Sequence, residues 1–152
     1  MDTPRKKVLA VASGGGHWVQ LLRLRPALLE HDVTFVTVDA AYGADLDGEC
    51  LSVVNDATRW NKFGLLLLAL RIVAILLRVR PDVVISTGAA PGFLAIRLAK
   101  LVGARTIWLD SIANVERLSL SGERIGPHAD LWLTQWPHLE RGERPACRGS
   151  VL

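Results

Sequence analysis

Cysteine is scarce in this chain of 152 residues: Cys50 and Cys147 are the only two. They lie far apart, with no C-x-x-C pair and no His/Cys cluster, so no structural zinc site is expected and a reducing compartment fits. Long apolar runs are missing as well. The longest, Leu65 to Leu77, is shorter than the roughly twenty residues of a membrane span and is broken by Arg71. Near the N-terminus, basic residues precede Val8-Leu9-Ala10-Val11-Ala12, which has an A-x-A-like end. That run is shorter than the roughly seven to fifteen apolar residues of a signal peptide, and a first β-strand explains it better. Charge of one sign is also thin. Lys plus Arg number 18 against 15 Asp plus Glu, for a net charge of +3, and the only dense basic run is Arg5-Lys6-Lys7. This balance does not mark a nucleic-acid binder. It suits a partner carrying phosphates or an anionic membrane surface.

What the chain has in quantity is apolar side chains, half of all residues, with a mean hydropathy of +0.27. The length suits one domain over residues 1–152, with the polar tail 137–152 expected to bind a partner or stay disordered. The apolar runs alternate between strand-like and helix-like. Strands are predicted over 7–13, 32–38, 51–54, 82–86, 106–109 and 131–134. Helices are predicted over 18–29, where Pro26 imposes a kink or an early end, over 60–79, and over 91–102. Loops are predicted over 40–49 and 111–129, the latter with a helical turn. This alternation implies right-handed βαβ units: a Rossmann-like α/β fold, a parallel sheet with helices on both faces. Ligands of such sheets sit beyond the carboxyl ends of the strands, so the loops after the first, fourth and fifth strands carry the functional reading.

The first of these loops is Ser13-Gly14-Gly15-Gly16-His17. Glycines allow a tight turn and a close backbone approach, and the helix N-terminus that follows favours an anion. The loop is therefore expected to hold a phosphate-bearing ligand, with His17 as a catalytic or phosphate-contacting side chain. A P-loop is excluded because no Lys follows the glycines. A dinucleotide fingerprint is half present: Gly14-x-Gly16 fits, but its third position is Val19. Asp39 at the end of the second strand resembles a ribose-binding acid, so a nicotinamide-binding oxidoreductase remains an alternative. Asp39 also reads as a capping residue, and the glycines as a tight turn without a ligand.

Ser86, Thr87 and Gly88 follow the fourth strand and form a second candidate phosphate cradle, ahead of Pro91 in the next helix. Asp110, Ser111 and Asn114 follow the fifth strand. A carboxylate at that edge suits a general base or a hydroxyl-binding group, or else a helix cap. The apolar helix reads both as a crossover buried on the sheet and as an element touching an anionic membrane. In the second reading Leu65 and Leu68 enter the membrane while Arg71 and Arg78, seven apart, lie at head-group level.

Several segments together carry a resemblance. They are Pro81-Asp82-Val83-Val84-Ile85-Ser86-Thr87-Gly88, Asp110-Ser111-Ile112-Ala113-Asn114-Val115, Leu118-Ser119-Leu120-Ser121-Gly122, Ala129-Asp130 and Gln135-Trp136-Pro137. From about Lys7 to Leu139 the chain resembles the acceptor-side subunit of two-part UDP-sugar glycosyltransferases. That family includes the membrane subunit of the dolichol-linked N-acetylglucosaminyltransferase and PssD-type exopolysaccharide subunits. It is similar to the N-terminal half of MurG-like GT-B enzymes.

The resemblance implies a fold equivalent to the N-terminal domain of a GT-B glycosyltransferase and a peripheral site on the cytoplasmic face of the membrane. It implies a lipid-linked sugar acceptor, bound here, and a UDP-sugar brought by a small donor-binding subunit. Gly15, Gly16 and His17 would face the acceptor diphosphate, with Ser86, Thr87 and Gly88 opposite. His17 is the first candidate base and Asp110 the second, and neither cofactor nor metal is expected. The chain departs from the family at Asp110, where relatives usually have Glu, and at Asn114, where Arg is common. Relatives with an N-terminal membrane helix have no counterpart of it here, so membrane contact is expected from the apolar helix. A non-catalytic anchor that recruits the donor-binding subunit is the rival reading.

Overall fold

We describe the protein from a computed structural model covering residues 4–151; residues 1–3 and Leu152, the ends of the expected domain and tail, lie outside the described residues. The central strand, β1 (Lys7–Val11), shows why the chain forms layers. Leu9 and Val11 enter one core and Val8 and Ala10 another, the period of two that a strand imposes. A strand apolar on both sides must lie between two layers. The other strands are β2 (Asp32–Thr37), β3 (Cys50–Val53), β4 (Val83–Ser86), β5 (Arg105–Leu109), β6 (Leu131–Thr134) and β7 (Ala146–Cys147). All pair in parallel, in the order β3-β2-β1-β4-β5-β6-β7.

Helix α1 (Gly16–Arg23) covers one face and buries Trp18 and Leu21 beside Phe35 and Ile85. Helices α2 (Lys62–Val79), α3 (Ala89–Leu98) and α4 (Leu120–Ile125) cover the other. Strand order reverses between β1 and β4, whose ends pair at Val11 and Ser86. A sheet of this kind opens a crevice at that reversal, outside the carboxyl ends of the strands.

The elements follow the sequence with instructive differences. Pro26 does cut the first helix short: α1 stops at Arg23 and a 3-10 turn, Arg25–Leu28, carries the chain on. Helix α3 starts at Ala89, before Pro91. The missing N–H of a proline in the first turn has no helical partner to lose, so the helix can begin upstream of it. Part of the tail joins the sheet. Ala146 and Cys147 pair with Leu133 and Thr134 and add a seventh strand, too short for periodicity to reveal.

The apolar helix requires a correction. α2 begins at Lys62, behind an Asn61 cap whose side chain accepts the Gly64 amide, so Trp60 lies outside it. Leu68, expected at a membrane surface, is 0% exposed and packs with Ile72 and Leu76 against the sheet. Leu65 is half-buried against the same core. Helical spacing places the free apolar edge elsewhere, on Phe63, Leu66, Leu67, Leu70 and Leu77, with Phe63 88% exposed. Arg71 and Arg78 are exposed as expected. Among the described residues no helix is long and apolar enough to cross a membrane.

Candidate functional site

The loops after β1 and β4 meet at the reversal point. Gly15 adopts φ 59°, which turns the chain sharply from β1 into α1. His17 then stands in the first turn of α1, and its ring crosses to the neighbouring loop. Its Nδ1 lies 2.9 Å from the Thr87 carbonyl oxygen, while Thr87 Oγ1 donates to the His17 carbonyl at 2.6 Å. A carbonyl oxygen only accepts, so Nδ1 carries the hydrogen and the neutral ring keeps its lone pair on Nε2. Gly88, at φ 138°, makes this approach possible. A Cβ there would sit 2.5 Å from both Nδ1 and Cε1 of His17.

The supporting groups are polar and largely buried. Ser86 Oγ accepts the Gly88 amide at 3.1 Å, and Thr37 Oγ1 donates to the Ser13 carbonyl at 2.7 Å. Tyr42, from the β2–β3 connection, accepts the Gly15 amide at 2.8 Å and packs against Trp18, with ring centroids 5.1 Å apart and planes tilted by 33°. Tyr42 thereby engages one amide of the glycine loop. The next two, of Gly16 and His17, open α1 and belong to the turn whose N–H groups lack helical acceptors. Tyr42 escaped the sequence reading; the only signal was a lone tyrosine in an otherwise polar loop.

The third loop is built differently from expectation. Asp110 is 2% exposed. Its carboxylate accepts the Ser119 amide at 2.8 Å, the Ser119 hydroxyl at 2.6 Å and the Asn114 side-chain amide at 3.4 Å. Ser119 in turn caps α4 by accepting the Gly122 amide. Asp110 therefore organises the loop and presents no open carboxylate to the crevice. Ser111 is also buried. Its hydroxyl accepts from Gln20 Nε2 at 3.1 Å and from the Ala113 amide at 3.2 Å.

Gln20 belongs to a buried amide network that no motif announced. Its Oε1 accepts the Ile112 amide at 3.1 Å and Gln135 Nε2 at 2.6 Å. Gln135 donates as well to the Asp110 carbonyl at 3.0 Å and accepts the Val151 amide at 2.8 Å. Trp136 Nε1 donates to the Ile112 carbonyl at 2.8 Å. The Gln135-Trp136 pair of the resemblance thus pins residues 110–113 to α1, the helix that carries His17. The sequence hint was Gln20 among the leucines of an amphipathic helix.

Two acidic features have structural partners. Asp39 Oδ1 caps a 3-10 turn by accepting the Ala41 amide at 2.9 Å, its capping role among the readings above. Asp45-Leu46-Asp47 is a D-x-D sequence that the sequence reading passed over. Trp18 Nε1 donates to Asp45, and Asp47 pairs with Arg25 at 2.7 Å. Among the described residues no three His, Cys, Asp or Glu side chains gather into a group that could hold a metal ion.

Comparisons with known proteins agree with this architecture. The family described as "Oligosaccharide biosynthesis protein Alg14 like" matches residues 51–151. The UDP-N-acetylglucosamine transferase subunit ALG14 of Yarrowia lipolytica is 36% identical over 81 residues, 48% of this chain and 37% of that protein. Its Schizosaccharomyces pombe counterpart is 33% identical over 87 residues, 53% of this chain and 33% of that one. These matches span about a third of the length of each curated relative. Among solved structures, Acinetobacter baumannii MurG superposes with a TM-score of 0.74 at 14% identity, covering 90% of this chain and 43% of its own. A UDP-N-acetylglucosamine 2-epimerase from Rickettsia bellii gives 0.69 at 14% identity, over 89% of this chain and 40% of its own. At such identities the likeness is one of fold: the parallel Rossmann-like domain of GT-B proteins.

Proposed function

This chain belongs to the Alg14-like family, and from that premise we propose that it is the acceptor-side subunit of a two-part UDP-sugar glycosyltransferase. The relatives are named as subunits of a UDP-N-acetylglucosamine transferase. In this reading the chain binds a polyprenyl-diphosphate-linked sugar at the β1/β4 crevice, and a smaller subunit supplies the UDP-sugar across the same cleft. The observation that carries the reading is the reciprocal His17–Thr87 contact. It joins two glycine-bearing loops at the reversal point and leaves Nε2 of His17 as the ring's basic atom.

The chemistry follows from that arrangement. An acceptor hydroxyl oxygen attacks the anomeric carbon of the UDP-sugar. The new C–O bond forms as the bond to the β-phosphate oxygen breaks and UDP departs. His17 Nε2 takes the hydroxyl proton, while the amides opening α1 and α3 offset acceptor phosphate charge. Asp110, Ser111 and Asn114 hold the neighbouring loop in place rather than touching the reacting atoms. Ser13, Gly14, Gly15 and Gly16 form the phosphate-facing wall, while Ser86, Thr87 and Gly88, expected to face the phosphate, are buried and support His17 from behind.

The exposed edge of α2 supports peripheral attachment to a membrane, which this reading assigns to the cytoplasmic face. Phe63, Leu66, Leu67 and Leu70 would enter the lipid, with Lys62, Arg71 and Arg78 beside them at head-group level. Purification of the full chain with its partner from the native cell, followed by transfer assays with a panel of UDP-sugars, tests the proposal. Sugar transfer to a lipid-diphosphate acceptor, dependent on both subunits, is the expected result. A complex that forms but transfers no sugar, or a chain that binds NAD tightly, would contradict it.

A further inference from the structure

Helices α2, α3 and α4 all begin at the carboxyl edge of the sheet, beside the proposed acceptor site. Between them lies a crevice of about 360 Å³, lined by Arg59, Leu65, Ala90, Phe93, Leu94 and Ser121. Resting on the acceptor reading above, we infer that this crevice seats the first isoprene units of the polyprenyl diphosphate, next to the phosphate-binding loops.

Its position and its lining both carry the inference. At one end, Ala90 is two residues beyond Gly88, the glycine that packs on His17. At the other, Leu65 adjoins Leu66 and the exposed apolar edge of α2. The crevice lining therefore runs from the first turn of α3, just after the Gly88 loop, to the edge of α2 expected to touch lipid. Leu65, Phe93 and Leu94 pack against the main core, which fixes the walls. Arg59, stacked over the Trp60 ring at 4.7 Å, supplies a cation at the rim.

The chemistry distinguishes between lipid classes. In a polyprenyl phosphate the hydrocarbon joins the phosphate oxygen directly, so apolar surface is needed at once beside the anion. A phosphoglyceride instead interposes a glycerol ester, whose oxygens need polar partners. Here the apolar wall begins two residues from the cradle, and beyond Arg59 the lining side chains offer only the Ser121 hydroxyl. The size also fits a part of a ligand, lying near the lower end of the roughly 300–1,000 Å³ of small-molecule sites.

Binding to the full chain below micelle-forming concentrations tests this, with farnesyl diphosphate, inorganic diphosphate and lysophosphatidic acid as probes. Farnesyl diphosphate is expected to bind at least about tenfold more tightly than either of the others. Leu94→Trp and Ser121→Trp fill the crevice from opposite walls. Each is expected to abolish that advantage while leaving inorganic diphosphate binding and vesicle association unchanged. Thermal unfolding identifies a variant that fails to fold, and the other then decides. A farnesyl advantage that survives in the folded variants overturns the crevice assignment alone. Equal binding of lysophosphatidic acid overturns the isoprene assignment. Failure of inorganic diphosphate to bind overturns the acceptor reading itself.

Discussion

At the scale of single residues, the site depends on contacts that tolerate little change. Gly88→Ala would place a methyl group 2.5 Å from the His17 ring at a φ of 138°. It should displace the imidazole and cost about 1–3 kcal/mol, seen as a lower unfolding midpoint in urea together with lost transfer. Gln20→Leu should cost a similar amount, about 1–3 kcal/mol, because it leaves the half-buried Ile112 amide without its acceptor and removes a buried partner of Gln135. The same denaturation series measures it, and hydrogen exchange at Ile112 and Ala113 should quicken. Asp130 sets a pH dependence. Burial pushes its carboxyl up, but the Thr106 amide and hydroxyl and the Lys100 ammonium outweigh that and hold it below the ordinary aspartate value. A depressed carboxyl adds stability above its unfolded pKa, about 3.9, and loses it as pH falls through the folded value. The stability gap between wild type and Asp130→Asn should therefore be widest near neutrality and close in acid. A gap independent of pH would contradict the assignment. Legibility at this scale was uneven. The glycines and His17 stood out because conformational freedom and an anion-facing helix start leave local marks. Tyr42, Gln20 and the inward turn of Asp110 did not, since the Gly15, Gln135 and Ser119 partners that fix them lie 27, 115 and 9 positions away.

At the scale of elements, α2 separates stability from surface contact. Its inner stripe, with Leu68, Ile72 and Leu76, is core, and its outer stripe, with Phe63, Leu66, Leu67 and Leu70, is free. Leu68→Ala should cost about 2–5 kcal/mol of unfolding free energy. Phe63→Glu with Leu67→Glu should leave stability within about 0.5 kcal/mol and reduce binding to anionic vesicles at least about tenfold. Flotation assays and denaturant titrations read the two effects apart. Equal vesicle loss from Leu68→Ala would contradict the division. The sequence made the helix plain but not its faces. Nearly every position from 65 to 77 is apolar, so the hydrophobic pattern has little contrast around the axis, and only contact with the sheet shows which side is buried. The strands were legible for the opposite reason: short apolar runs bounded by glycine, proline and polar residues admit few other readings. β7 was not, because two residues carry no period.

At the scale of the whole molecule, a single parallel sheet covered on both faces places every glycine-bearing loop of interest on one edge. The exposed face of α2 and the crevice beneath α3 and α4 lie toward that same edge. The buried amides of Gln20 and Gln135 tie the tail through Val151 to the loop beside the site. The chain superposes on 43% of a MurG chain, as one parallel domain of that fold. In the proposed function His17 acts on a lipid-linked acceptor in a cleft completed by a second subunit. The most direct measurement is the rate of labelled sugar transfer from UDP-N-acetylglucosamine to polyprenyl-diphosphate-linked acceptor. It is made with the intact two-subunit complex at saturating acceptor, comparing wild type with His17→Ala. A fall of about 10²–10⁴-fold with the complex still assembled is the predicted result. Transfer at a near wild-type rate would contradict it and leave the chain as an anchor for its partner.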